Sequence, residues 1–178
     1  MKNTKPVLLV EDDSVNAMAV IRVFKDLRIP KHVVHMENGE EGLKYLNDNT
    51  LEKPDLILLD LNMPGMNGVE FLRIIKNDPV LKRIPVVMFT ASDDERNIEE
   101  CFALNVAGYI IKPFDTEVFE KIIRTVAVYW SCSELPKKQE MHEWYNLLTS
   151  MKQSQVITER KVKIHRDIYK KYGGRHNL

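Results

Sequence analysis

The sequence predicts a doubly wound α/β fold with five parallel strands. Three observations carry that prediction. Short apolar runs alternate with amphipathic stretches five times between Val7 and Tyr129, the pattern of βα units. The runs Val7-Leu8-Leu9-Val10, Leu56-Ile57-Leu58-Leu59 and Ile84-Pro85-Val86-Val87-Met88-Phe89 are continuously apolar, as in strands covered on both faces. Each run also ends at once in polar or charged residues, so chemistry-bearing side chains fall at strand ends.

The elements follow in order. Val7 to Val10 is the first strand, closed by Glu11-Asp12-Asp13. Ser14 is a candidate cap for a helix carrying Val15, Met18, Ala19, Ile21, Val23, Phe24 and Leu27 at helical spacing, ended by Pro30. Val33 to Met36 is a weak strand, Asn38-Gly39 a turn, and Glu40 to Leu46 a short helix. Leu56 to Leu59 is the third strand, followed by Asp60 and the Pro/Gly turn Asn62-Met63-Pro64-Gly65. Val69 to Ile75 is helical with Phe71, Leu72 and Ile75 facing inward. The fourth strand leads to Thr90, and Asp93 to Leu104 is an acid-rich amphipathic helix. Gly108 to Ile111 is the fifth strand and Thr116 to Tyr129 the fifth helix. The alternation calls for right-handed crossovers, and with five strands the flavodoxin-like order 2-1-3-4-5 is the natural candidate, with its switch point between the first and third strands.

Composition narrows the function classes. The chain has 178 residues, 44% of them apolar, enough for one domain with a core plus an extension. It has no apolar stretch long enough to span a bilayer, and the run after the basic N-terminus is too short for a secretory signal. Cys101 and Cys132 lack metal-ligand spacing. Both read as ordinary buried or half-buried thiols, and a reduced, cytoplasmic setting is expected. The zero net charge hides two halves. Residues 1–136 carry 16 Lys and Arg against 22 Asp and Glu, a net of −6, and residues 137–178 carry 10 against 4, a net of +6.

Four features converge on the switch point: the acids Glu11-Asp12-Asp13, Asp60, Thr90, and Lys112, each at the carboxyl end of a strand. Crowded carboxylates repel one another unless a cation sits among them. Several carboxylate oxygens with a backbone carbonyl and waters suit Mg²⁺. Lys112 offers a point charge for phosphate oxygens, and Thr90 a hydroxyl donor. Phosphoryl transfer needs mainly positioning and charge neutralisation, and an aspartate serves as nucleophile to give an acyl phosphate. Asp60 therefore reads as a carboxylate made ready to receive a phosphoryl group. Asp13 reads as a helix-start acid and Asn16 as a solvated helix residue.

The motifs Leu8-Leu9-Val10-Glu11-Asp12-Asp13, Leu58-Leu59-Asp60-Leu61-Asn62-Met63-Pro64, Asn67-Gly68, Phe89-Thr90-Ala91-Ser92 and Tyr109-Ile110-Ile111-Lys112-Pro113-Phe114 resemble, in spacing and order, those of two-component response-regulator receiver domains. The resemblance covers about residues 4–130. It implies Asp60 as phosphoacceptor, with Mg²⁺ bound by Asp12, Asp60, the Asn62 backbone carbonyl and, through water, Glu11. It implies Thr90 and Lys112 on the phosphoryl oxygens, Tyr109 as a switch aromatic that moves with Thr90, and a cis Lys112-Pro113 bond. The partner implied is a histidine kinase, and no separate turnover substrate is expected. Lys76 to Pro85 and Tyr129 to Pro136 resemble, more narrowly, the stand-alone receivers that partner bacterial phytochrome-type histidine kinases.

The chain thus divides into a receiver domain, 1–136, and a basic helical extension, 137–178. Three uses compete for the extension, in this order: packing on its own receiver; a homodimer contact or partner docking; and nucleic-acid binding through Arg160, Lys161, Lys163, Arg166, Lys170 and Lys171. No membrane association is expected. Two other functions carry weaker support. A haloacid-dehalogenase-type phosphohydrolase calls for an Asp-x-Asp motif, and Asn62 stands where the second acid belongs. A transcription regulator would act through the basic extension.

Overall fold

The computed structural model describes residues 5–29 and 31–133; the expectations for residues 137–178, and the domain limit at 136, lie outside them. Among the described residues the elements alternate as β1 (Val7–Val10), α1 (Ser14–Asp26), β2 (Val33–Met36), α2 (Gly39–Asn47), β3 (Leu56–Leu59), α3 (Gly68–Asn77), a 3₁₀ turn at Leu81–Arg83, β4 (Val86–Thr90), α4 (Glu95–Ala103), β5 (Gly108–Ile111) and α5 (Thr116–Cys132). The strands are all parallel, in the order β2-β1-β3-β4-β5, as the alternation predicted.

Strand periodicity sorts the core into two layers. Leu8, Val10, Ile57, Leu59, Val86 and Met88 face α2, α3 and α4, packing with Tyr45, Leu46, Phe71, Leu72, Ile75 and Cys101. Val7, Leu9, Leu56, Leu58, Val87 and Phe89 face α1 and α5, packing with Ala17, Val20, Phe24, Phe119, Ile123 and Val126. β1, β3 and β4 are buried throughout. β2 and β5 are edge strands and only half-buried, which is why β2 reads weakly in the sequence.

Several local expectations are corrected. Asp13, not Ser14, caps α1: its Oδ1 accepts from the N–H groups of Val15, at 2.7 Å, and Asn16, at 3.2 Å. A carboxylate at that place also complements the helix dipole. Asn38 caps α2 rather than forming a free turn; its Oδ1 accepts from the Glu41 N–H at 2.9 Å. α5 runs to Cys132 and leaves that thiol exposed, whereas Cys101 is buried. Every peptide bond among the described residues is trans, Lys112-Pro113 included; trans is the lower-energy isomer of an X–Pro amide.

Opposite the carboxyl ends of the strands, Lys31 and Asp55 form a buried ion pair that joins the segments entering β2 and β3. Helix exits follow ordinary chemistry. Asn105 takes a left-handed conformation, φ 59°, after α4, and the Val106 N–H returns to the Cys101 carbonyl at 3.3 Å.

Candidate functional site

The register of β1, β3 and β5 brings three predicted residues to one place. Val10 pairs with Leu59, so Glu11 and Asp60 emerge side by side one step later. Glu11, Asp60 and Lys112 continue the alternation of Leu9, Leu58 and Ile110, residues of the layer facing α1 and α5. The Asp60 N–H donates to the Val10 carbonyl at 2.9 Å, tying the two strand ends together. Gly68 closes the far side. Its N–H donates to the Leu61 carbonyl at 2.9 Å, and a Cβ there would lie 2.2 Å from the Asp60 carbonyl oxygen.

Lys112 is the hub. Its Nζ lies 2.9 and 2.6 Å from the two carboxylate oxygens of Glu11 and 2.8 Å from Oδ2 of Asp60. Its side chain is 8% exposed, and the ammonium sits 5.6 Å from the centre of the Phe89 ring, a cation–π distance. Asp60 is held from its other side: Oδ1 accepts from the Leu61 N–H at 2.6 Å and weakly from the Asn62 N–H at 3.4 Å. Burial pushes the Glu11 carboxyl up from its usual range, while the Lys112 ammonium draws it down.

Carboxylate oxygens of Glu11, Asp12 and Asp60 lie within 4.8 Å of one another. Glu11 and Asp60 are buried and Asp12 is exposed, so the cluster is walled on the protein side and open to solvent at Asp12. Beside it opens a cleft of about 610 Å³ lined by Asp12, Glu37, Asn38, Glu40, Glu41 and Lys44, with Pro64 and Gly65. Three hard oxygen donors on a site of net negative charge fit a divalent cation that keeps several waters. Asn62 lies in the exposed turn just past Asp60.

Thr90 and Tyr109 belong to the other sheet face. Thr90 is fully buried as the last residue of β4, and its Oγ1 accepts from the Ser92 N–H at 3.3 Å. The Tyr109 hydroxyl donates to the Ser92 carbonyl at 3.0 Å. Ser92 thus links the two predicted switch residues through one peptide segment. Asn97 adds a contact to the same loop, its Nδ2 donating to Ser92 Oγ at 3.2 Å.

Three residues at the site escape the sequence reading. Asn16, read as a solvated helix residue, turns inward and donates from Nδ2 to Glu11 Oε1 at 3.3 Å. His35 places Nε2 2.8 Å from the Glu11 carbonyl oxygen. Glu40 reaches across to the loop after β3, its Oε1 accepting from the Met66 N–H at 3.1 Å. Asn16 follows Glu11 by five residues across the turn from β1 into α1, a spacing with no helical or strand period to announce the contact. His35 and Glu40 act over 24 and 26 residues, and only the assembled sheet brings them in.

Comparison with known proteins agrees with this geometry. The profile of the response regulator receiver domain matches residues 7–124. The response regulator Rcp1 of Synechocystis sp. is 33% identical over 130 residues, 71% of this chain and 88% of that protein. Its Mn²⁺-bound crystal structure superposes with a TM-score of 0.72, covering 75% of this chain and 99% of that one. The phosphorylated cyanobacterial phytochrome response regulator RcpA gives a TM-score of 0.72 at 34% identity, over 76% of this chain and all of that one. The chemotaxis protein CheY of Pseudomonas aeruginosa is 31% identical over 120 residues, 67% of this chain and 94% of that protein. With the fold, the strand-end acids and these likenesses in agreement, the chain belongs to the response-regulator receiver family, signalling domains phosphorylated on aspartate in two-component systems.

Proposed function

We propose that Asp60 is the phosphoacceptor of this receiver and that a histidine kinase supplies the phosphoryl group. The observation that carries the reading is the Lys112 ammonium seated between Glu11 and Asp60 at 2.6 to 2.9 Å. A lysine so placed neutralises the carboxylates at rest and lies one short side-chain motion from a phosphoryl oxygen on Asp60. In the reaction a carboxylate oxygen of Asp60 attacks phosphorus. The P–N bond of the donor phosphohistidine breaks, its electron pair returns to the imidazole nitrogen, and that nitrogen takes up a proton. Asp12, Asp60 and the Asn62 carbonyl would hold Mg²⁺, with Glu11 acting through water, and the ion would neutralise charge on the phosphoryl group.

Thr90 donates its hydroxyl to the phosphoryl group. Because Thr90 Oγ1 and the Tyr109 hydroxyl both bond to Ser92, a shift of Thr90 biases the conformation of the Ser92 loop and Tyr109, a two-state element of the kind that switches partner binding. The domain takes no separate turnover substrate. Exposed apolar side chains on α1 (Val15, 67%; Met18, 62%) and beyond Lys112 (Phe114, 108%; Val118, 43%) flank the strand ends and suit a partner that delivers phosphate to Asp60. The relation to a phytochrome response regulator favours a phytochrome-type kinase as that partner.

The reading is tested with acetyl phosphate as a small donor. With Mg²⁺ the full chain is expected to gain one phosphoryl group by intact mass, and EDTA is expected to stop the gain. Equal labelling in EDTA would contradict the metal-dependent reading.

A further inference from the structure

We propose that His35 is a positioning residue for the metal site, setting cation affinity through the peptide that joins Glu11 to Asp12; the proposal rests on the reading of Glu11, Asp12 and Asp60 as the metal pocket. His35 lies on the half-buried edge strand β2 and touches none of the three carboxylates through its ring contact. What it holds is the Glu11 carbonyl oxygen, 2.8 Å from Nε2. A carbonyl oxygen only accepts, so Nε2 carries the proton. The carbonyl is part of the peptide between two of the three acids, so its orientation sets the direction in which Asp12 leaves Glu11.

The other side of the same residue is also fixed. The Glu11 N–H donates to the Met36 carbonyl at 3.0 Å, so consecutive residues of β2 hold the backbone of Glu11 at both its amide and its carbonyl. The Glu11 side chain is in turn held by Asn16 and Lys112. Freed of the His35 bond, the Glu11–Asp12 peptide gains rotational freedom, and the cluster whose oxygens now lie within 4.8 Å loses its preset spacing. Mg²⁺-type sites are strict about geometry, and outer-shell partners of metal ligands influence affinity by tenfold or more.

The experiment uses the full chain and Mn²⁺ as probe, with the free aquo ion followed by electron paramagnetic resonance well below the melting temperature of each variant. His35→Phe removes the donor at similar volume and His35→Asn keeps an amide but falls short of the carbonyl; both are expected to raise the Mn²⁺ Kd by about tenfold. His35→Gln, whose Nε2 reaches as far as that of histidine, is expected to stay within about threefold of the parent protein. A residue that merely stabilised the fold would lower the melting temperature and leave the Kd of the folded protein unchanged. Unchanged Kd values in His35→Phe and His35→Asn, beside normal binding by the parent, would overturn the positioning role alone. Absence of Mn²⁺ binding by the parent protein would overturn the metal reading and this proposal with it. Should His35→Phe fail to fold, the Asn and Gln pair decides: equal affinities overturn the role, and weaker binding by Asn alone supports it.

Discussion

Lys112 resolves a local conflict: Glu11 and Asp60 are both buried, and each needs a counter-charge. One ammonium serves both, and it competes with any cation that enters. Two unit charges about 4 Å apart at an effective dielectric constant near 20 interact by about 4 kcal/mol, and 1.4 kcal/mol is a tenfold change in Kd. Lys112→Ala is therefore expected to bind Mn²⁺ more tightly, by roughly tenfold if about a third of that interaction is returned, while phosphorylation by acetyl phosphate slows. Weaker Mn²⁺ binding in the variant would contradict the competition. The two thiols separate just as clearly. Cys101 is 0% exposed and burial pushes it up to about 11, whereas Cys132 is exposed. In native protein at pH 8, iodoacetamide is expected to modify Cys132 alone, with Cys101 reacting only after denaturation, as read by peptide mass mapping. Residue type and strand-end position were enough to expect Glu11, Asp12, Asp60 and Lys112 in one place, and the structure brings these four together. Asn16 and His35 were not legible, because an amide on a helix and an imidazole on an edge strand carry no local sign of what they will meet.

At the scale of elements, the site is built by packing of loops onto strand ends rather than by any one motif. The N-terminus of α3 rests on the Asp60 backbone, and Asn67 and Glu70 form a reciprocal capping box that fixes where the helix starts. Gly68 is the contact point. Gly68→Ala would put a methyl group 2.2 Å from the Asp60 carbonyl oxygen and 2.8 Å from the Leu61 Cα, so backbone must move. A cost of about 1–3 kcal/mol is expected, read as a lower urea midpoint with an unchanged slope; an unchanged midpoint would contradict the tight docking of α3. Element types were readable because buried parallel strands are apolar throughout and the helices keep a 3.6-residue period. Helix starts were less so. Asp13 and Ser14 are both good caps, and the choice between them depends on where the chain leaves β1. Glu40 shows the same limit: its bond to the Met66 N–H joins α2 to the loop after β3, a meeting that only the strand order creates.

At the scale of the whole molecule, charge is unevenly divided along the chain: residues 1–136 carry a net −6 and residues 137–178 a net +6. The receiver profile ends at residue 124, and among the described residues no helix is long and apolar enough to cross a membrane. Alternation with right-handed crossovers makes the order 2-1-3-4-5 the natural candidate for five strands, and the structure has that order, so the crevice lies at the expected switch point between β1 and β3. The contacts that tune it were not legible, since each depends on strands that are distant in sequence becoming neighbours. The proposal that Asp60 accepts the phosphoryl group is tested by reductive trapping. Protein treated with acetyl phosphate and Mg²⁺ is reduced with borohydride, which converts an aspartyl phosphate to homoserine, and the product is mapped by peptide sequencing. Homoserine is expected at position 60, and none in Asp60→Asn. Homoserine at another aspartate, or equal phosphoryl gain by Asp60→Asn, would contradict the proposal.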